Sequence, residues 1–307
     1  MAHHSVMVRV PGKVNLQLSV GPKRADGYHD IATIFQAVSI YDDVRVTIKD
    51  PDAKSAFDIS ISSEHPTAIP TDKSNLAYIA AEVMYEKFEL SGSIEIKINK
   101  KIPVAGGMAG GSANAAGVIV ALDSLFSLGL SRDEMQEVGA TIGSDVPFSI
   151  AGGTAVGTGR GERLTPALTR GQYSWVLATS SSGLSTPAIY NECDRLREGM
   201  SISTPQLSES LMQALSTADA KALGKALQND LQAAACSIRP ALRLILDVGM
   251  DYGALGGVVS GSGPTVAFLA SDEEHALDLV VALTSSGVVG NVLRASAPVV
   301  GATVIDR

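Results

Sequence analysis

The chain carries the stretch PVAGGMAGGSANAAG at residues 103–117, which runs directly into the apolar segment VIVALDSL. A glycine-rich turn that opens onto a helix N-terminus exposes unpaired backbone N–H groups at the positive end of the helix dipole. Its glycines lack the Cβ that would hold a ligand away from the backbone, and Ser112 adds a hydroxyl. The stretch predicts a phosphate-binding loop or, equally well, a loop that lets the helix pack tightly on a sheet.

The loop matches neither of two familiar nucleotide-binding motifs. No Lys-Ser/Thr pair follows the glycines, as a Walker A motif requires, and the GxGxxG spacing of a dinucleotide site is absent. A lysine that meets the phosphate must therefore come from another part of the chain.

Composition limits the class of protein. With 307 residues, of which 45% are hydrophobic and 18% charged, the chain is long enough for two domains. The absence of a long uncharged apolar run argues against a membrane protein, and the net charge of -8 argues against a nucleic-acid binder. The initial MAHH resembles an expression remnant rather than a leader, so we expect a cytoplasmic protein.

Cysteines and histidines give no sign of a metal centre. Cys193 and Cys236 stand outside any CxxC motif, and the five histidines show neither HxxH nor HExxH spacing. We expect two buried thiols and no catalytic transition metal.

Hydrophobic periodicity predicts an α+β fold. Alternation predicts strands around 6–10, 44–48 and 94–98, and helical spacing predicts a helix over 74–88. Further helices are predicted over 112–128, from a capping box at Ser131 and Glu134, over 216–235, from 239 onward and over 272–285. GRGE at 159–162 is typical of a hairpin turn, and the second half has the strand–helix alternation of a ferredoxin-like domain.

Three other stretches offer polar groups for chemistry. In PGKVNL, Lys13 and Asn15 lie on one face of a strand because their spacing is two residues. In GSDVPF, Asp145 occupies a turn beside a rigid proline, where it is either a catalytic carboxylate or an ordinary turn residue. A second Gly/Ser turn lies at 259–265, as VSGSGPT.

Taken in order, PGKVNL, the glycine loop, GSDVPF and GSGPT resemble the signature motifs of the GHMP kinases. This resemblance implies two domains with the active site between them: an N-terminal, ribosomal-protein-S5-like domain over 1–157 and a C-terminal, ferredoxin-like domain over 158–307. It also implies ATP and Mg²⁺, with Asp145 as the base and Lys13 as the cation at the reacting oxygen and phosphate.

The block RADGYHDIATIFQAVSIYDDV at 24–44 is similar to the branch of that superfamily that phosphorylates the 2-hydroxyl of 4-diphosphocytidyl-2-C-methyl-D-erythritol, in non-mevalonate isoprenoid synthesis. The substrate partner implied is a small molecule with a cytidine diphosphate group. Two alternatives stay open: a GHMP kinase for another alcohol, of the homoserine or mevalonate type, and a catalytically silent nucleotide-binding module. The oligomeric state is open between a monomer and a weak dimer.

The resemblance assigns the remaining site residues. The substrate contacts it implies are Asn15, Tyr28, His29, Thr186 and Tyr190. The ATP contacts it implies are Asn75, Lys100, Pro103, Val104, Ala105, Gly106, Gly107, Met108, Ala109, Gly110, Gly111, Ser112 and Ala113. Ser112 is also the expected Mg²⁺ ligand.

The loop departs from the family pattern at Ala105, Ala109 and Ala113, and at Met108. An alanine at a position that needs a positive φ costs of order 1 kcal/mol. We therefore expect ordinary dihedral angles at these alanines.

Overall fold

A computed structural model describes residues 5–63, 69–180 and 182–307. The initial MAHH and His65 lie outside these ranges. The strands are β1 Ser5–Lys23, β2 His29–Asp50, β3 Ala56–Ser63, β4 Ser93–Lys100, β5 Thr154–Gly159, β6 Arg163–Pro166, β7 Tyr173–Thr179, β8 Gln228–Asn229, β9 Gly256–Val259, β10 Val266–Ala270, β11 Asn291–Ala297 and β12 Thr303–Asp306. The helices are α1 Leu76–Lys87, α2 Gly110–Phe126, α3 Arg132–Ile142, α4 Val146–Ala151, α5 Thr186–Leu196, α6 Glu209–Thr217, α7 Ala220–Ala226, α8 Gln232–Ile238, α9 Ala241–Asp251 and α10 Glu273–Ser285.

A large mixed sheet forms the first layer of the fold. Its strands run in the order β12-β1-β2-β4-β3, with β5 added on β2, β6 on β5 and the short β8 parallel to β1. The alternating apolar residues of β1, β2 and β4 are buried in one core with α1 and α2. The strand predictions for this half are confirmed, although β1 and β2 are far longer than the alternating segments.

Helix α2 packs very closely on this sheet. A Cβ at Gly117 would lie 2.7 Å from Val44 Cγ2 and 3.2 Å from Val10 Cγ2, closer than side chains pack. The absence of a side chain at Gly117 therefore lets α2 pack tightly on the sheet. At this end of the 103–117 stretch, the prediction of tight packing between helix and sheet is correct.

A second, antiparallel sheet has the strand order β11-β7-β10-β9 and packs against α10 and α9. Strand β12 follows β11 but pairs with β1, so the C-terminal segment returns to the first sheet. The fold is α+β with two sheets, as expected. The domain boundary after residue 157 stays a prediction.

The helix predicted over 216–235 is wrong. Ala218 adopts the left-handed conformation after α6, Asp219 caps α7, and strand β8 separates α7 from α8. Leu223 and Leu231, which suggested one apolar stripe, are buried in two different cores. The leucines are spaced in the sequence as they would be on one face of a single helix. They nevertheless pack into different cores, because the chain turns between them.

Several local predictions are confirmed. The capping box joins Ser131 and Glu134 at the start of α3, and residues 160–162 form the turn between β5 and β6. Cys193 and Cys236 are free and buried. In the described ranges, the structure has no helix that is both long and apolar enough to cross a membrane.

Candidate active site

The glycine loop occupies the turn before α2, and its backbone corrects an expectation. Ala105 has φ 48° and Ala109 has φ 59°, so both alanines adopt the left-handed conformation that we expected them to avoid. Gly107 between them has φ 74°. The loop needs positive φ at these positions to turn into the helix, and it tolerates the strain that two methyl groups add.

Hydrogen bonds hold the loop against the Gly/Ser turn at 259–265, which contains GSGPT, and against β1. Thr265 N donates to Gly106 O at 3.3 Å, Ser260 Oγ donates to Gly107 O at 3.1 Å, and Lys13 N donates to Met108 O at 3.2 Å. A Cβ at Gly107 would lie 2.1 Å from Ser260 O, so no other residue fits there. The GSGPT turn is therefore the wall on which the loop rests.

The start of α2 is open to an anion. Its N-cap residue Ala109 makes no side-chain capping bond, and no acidic residue lies in the first turn. The first N–H groups of the helix thus keep their hydrogen-bonding capacity and the positive end of the dipole is uncompensated.

Lys13 and Asp145 meet beneath this loop. Lys13 Nζ lies 3.9 Å from Asp145 Oδ2, and the lysine side chain is only 7% exposed. Burial lowers the pKa of Lys13, while the nearby Asp145 carboxylate acts to raise it. Asp145 precedes α4 but makes no side-chain capping bond, so its carboxylate is free for chemistry.

A chain of hydrogen bonds orients the Lys13 ammonium. Lys13 Nζ donates to Asn15 Oδ1 at 2.6 Å, Asn15 Nδ2 donates to Thr33 Oγ1 at 2.8 Å, and Thr33 Oγ1 donates to Gln17 O at 2.6 Å. A Cβ at Gly261 would lie 3.3 Å from both Lys13 Nζ and Asn15 Oδ1. The pair is consequently held between β1 and the GSGPT turn.

A cavity of about 340 Å³ contains the predicted catalytic pair and most of the loop. Among the described residues that line it, Asp145 is the one carboxylate. The predicted residues that it joins are Lys13, Asn15, Ala105, Gly106, Gly107, Ala109, Gly110, Gly111, Ser112, Asp145, Thr186 and Tyr190.

A second cavity of about 510 Å³ adjoins the first and contains the other predicted substrate residues, Tyr28 and His29. The rings of His29 and Tyr190 lie 5.1 Å apart, whereas Tyr28 is 56% exposed at the mouth of the cavity. Burial, above all, raises the pKa of Tyr190, and the Asp145 charge adds to this effect.

Asp194 is a contact that the sequence analysis missed. His29 Nε2 hydrogen-bonds Asp194 Oδ1 at 2.8 Å, and Lys23 Nζ lies 3.1 Å from Asp194 Oδ2. Burial acts to raise the pKa of Asp194, but the hydrogen bonds from His29 and Lys23 lower it overall. No local motif marks Asp194, because α5 brings it to β2 from far along the chain.

Other predicted residues lie outside both cavities. Lys100 Nζ is buried and donates to Asp42, Gly110 O and Asn114 Oδ1, so it supports the loop from behind. Asn75 caps α1 by accepting from Ala77 N, and its amide donates to Pro70 O. Pro103, Val104, Met108 and Ala113 also line neither cavity.

Comparison with known proteins identifies the same family that the site motifs resemble. The model of the GHMP kinases N terminal domain matches residues 75–153, and the model of the GHMP kinases C terminal region matches residues 211–289. The chain is 50% identical over 303 residues to a 4-diphosphocytidyl-2-C-methyl-D-erythritol kinase from Nocardia farcinica, covering 98% of this chain and 96% of the relative.

Solved structures share the fold. A crystal structure of 4-(cytidine 5'-diphospho)-2C-methyl-D-erythritol kinase superposes with a TM-score of 0.76 and 28% identity, over 95% of this chain and 99% of the other. A homoserine kinase from Cytophaga hutchinsonii reaches the same TM-score of 0.76 at 18% identity, over 99% and 98% of the two chains, and so shares the fold alone. The chain thus belongs to the 4-diphosphocytidyl-2-C-methyl-D-erythritol kinase family of the GHMP kinases.

Proposed function

We propose that this protein transfers the γ-phosphoryl group of ATP to the 2-hydroxyl of 4-diphosphocytidyl-2-C-methyl-D-erythritol. The observation that carries the proposal is the pairing of Lys13 with Asp145 in a cavity walled by a glycine loop and a helix N-terminus. Family membership supplies the substrate, since fold likeness extends to kinases of other alcohols.

In the proposed reaction Asp145 accepts the proton of the hydroxyl as its oxygen bonds to the γ-phosphorus. The bond between the γ-phosphorus and the bridging β–γ oxygen breaks, and ADP leaves with the electron pair. Lys13 stays close to the reacting oxygen and to the transferring group, where its charge offsets developing negative charge. Its burial strengthens this interaction, because water screens it poorly.

The loop and α2 are proposed to bind the triphosphate. Gly110, Gly111 and Ser112 at the start of α2 line the cavity, where uncapped N–H groups of a helix N-terminus can bind phosphate oxygens. Gly110 has a second role, because a Cβ there would lie 2.8 Å from Lys100 Nζ. Lys100 and Asn75 would act indirectly, by holding the loop and the start of α1.

Mg²⁺ fits the residues present. The structure shows no group of three His, Cys, Asp or Glu side chains among the residues it describes. Mg²⁺ bound with a nucleotide needs no such cage, because phosphate oxygens and water supply most of its ligands. Ser112, which lines the cavity from the first turn of α2, would hold it through its hydroxyl. When bound, the ion neutralises charge on the phosphates.

The cytidine is proposed to occupy the cavity of Tyr28, His29 and Tyr190. Aromatic rings stack on pyrimidines, and His29 is held by Asp194 so that its ring has a defined orientation. Thr186 lies between the two cavities, where it meets the rest of the substrate. A cytoplasmic location, with access to ATP, is part of the proposal.

A coupled ADP-release assay with three alcohols tests the proposal. We expect turnover with the diphosphocytidyl substrate and none with homoserine or mevalonate. Turnover with either of those alone would contradict the substrate assignment. ATP binding without turnover on any of the three would instead identify a catalytically silent module.

A further inference from the structure

The two cavities of the site share one wall, and a single charged side chain lies on it. The residues that line both cavities are Ile31, Ser144, Arg160, Thr186 and Tyr190. Arg160 is the only charged residue among them. It comes from the GRGE turn, which the sequence analysis interpreted only as a hairpin.

Hydrogen bonding and glycine dihedral angles define the backbone conformation of the turn that carries Arg160. Arg160 N donates to Glu162 Oε2 at 2.7 Å, and the flanking Gly159 and Gly161 have φ of 72° and 106°. The guanidinium carbon lies 5.3 Å from the centre of the Tyr28 ring. The side chain thus leans towards the mouth of the second cavity.

The Arg160 guanidinium carries an uncompensated charge. Across the described ranges it forms no ion pair with a carboxylate, whereas the neighbouring Arg163 lies 3.8 Å from Glu162 and Lys23 is paired with Asp194. An unpaired arginine at the junction of two cavities, in a chain of net charge -8, is available to an anionic ligand.

We infer that Arg160 binds the diphosphate of the substrate, an inference that rests on the proposed function. With the pyrimidine beside His29 and Tyr190 and the 2-hydroxyl at Asp145, the covalent order of the substrate places its diphosphate between the two cavities. Arg160 lies at that point. It gives the enzyme a means to select a nucleoside-diphosphate alcohol over smaller alcohols that have no diphosphate.

Inhibition of wild-type and variant enzyme by CDP and by cytidine tests the inference. We expect Arg160→Gln to weaken CDP inhibition by about 10- to 100-fold, the loss expected for a charge-assisted hydrogen-bonded contact, and to leave cytidine inhibition unchanged. The KM for the substrate rises while kcat and the KM for ATP stay near wild type, and Arg160→Lys restores part of the CDP affinity.

Arg163→Gln, on the same hairpin and 80% exposed, is the matched control and leaves all these constants unchanged. Equal losses for CDP and cytidine would overturn the inference, because they would mean that Arg160 only supports the Tyr28 ring. Unchanged CDP inhibition in Arg160→Gln would overturn it as well. Absence of wild-type turnover on the diphosphocytidyl substrate would instead defeat the proposed function, and this inference with it.

Discussion

The Lys13 ammonium and the Asp145 carboxylate lie 3.9 Å apart, although Lys13 lies on β1 opposite Ala37 of β2 and Asp145 lies just before the short helix α4. The distance is longer than a direct hydrogen bond, so a hydroxyl or phosphate oxygen can interact with both groups. The same two side chains can therefore share one reacting oxygen.

Removing the proposed base should stop turnover without disturbing the fold. We expect Asp145→Asn to lower kcat by about 10²- to 10⁴-fold, the usual contribution of a general base. The fold should be kept, because the side chain makes no capping bond, but the melting temperature should fall modestly since the buried Lys13 loses its charge partner. ATP affinity should change little. Steady-state kinetics and calorimetric ATP titration check this, with the exposed Asp133→Asn as control. A kcat near wild type would mean that another group accepts the proton.

The pH dependence of kcat should show the deprotonation of the buried Lys13. Since burial lowers the pKa of Lys13, the protonated form required for catalysis is lost on the alkaline side at a pH below 10.5, the ordinary value for lysine. Because Asp145 acts to raise this pKa, the residual activity of Asp145→Asn should fall at a still lower pH. Measuring kcat against pH for the wild type and for Asp145→Asn gives the alkaline limb of each enzyme. A limb that moves to higher pH in the variant would contradict the assignment.

The stability cost of a steric clash at Gly107 can be distinguished from the cost of its positive φ. Gly107→Ala places a methyl group against Ser260 O, so we expect a large loss of stability and a raised KM for ATP. Gly129→Ala also has a positive φ, but nothing lies within 4 Å of the added Cβ. Its cost should be about 1 kcal/mol, with kinetics unchanged. Urea unfolding compares the two variants, and equal costs would show that the GSGPT turn does not confine the loop.

Replacing a loop alanine that has a positive φ by glycine should stabilise the protein. Ala109→Gly should raise the free energy of unfolding by roughly 0.5–1 kcal/mol, because it relieves strain at a positive φ. Ala113→Gly, four residues later in α2 and fully buried, should instead lower it by about 1 kcal/mol. Chemical denaturation of both proteins checks the opposite signs. A loss of stability in Ala109→Gly would mean that its methyl group packs more favourably than the strain costs.

Asp194 should act through His29 on the substrate side only. Asp194→Asn replaces the charge that orients His29 and pairs with Lys23, so we expect a raised KM for the diphosphocytidyl substrate, about 10-fold. The KM for ATP should stay unchanged, and initial-rate kinetics with each substrate varied distinguish the two. Asp251→Asn, at the exposed end of α9 and away from both cavities, is the control. An equal rise in the KM for ATP would point to a general structural defect.

The sequence by itself determined the strands with period-two burial, the capping box at Ser131 and the glycine loop at the start of α2, because each depends on neighbouring residues. It also supplied the motifs by which Lys13 and Asp145 were selected. Local reasoning failed where tertiary contacts dominate. The leucines over 216–235 face two cores, and the loop alanines adopt positive φ because the GSGPT turn and β1 hold the loop in place.

Only the tertiary structure decided which groups share the site. It brought Asp194 to His29 and Arg160 to the wall between the two cavities, and it turned Lys100 and Asn75 away to support the loop and a helix cap. These are contacts between residues far apart in the chain. Spacing along a strand or helix carries no information about such contacts, since chain folding, and not local geometry, sets the distance between the residues.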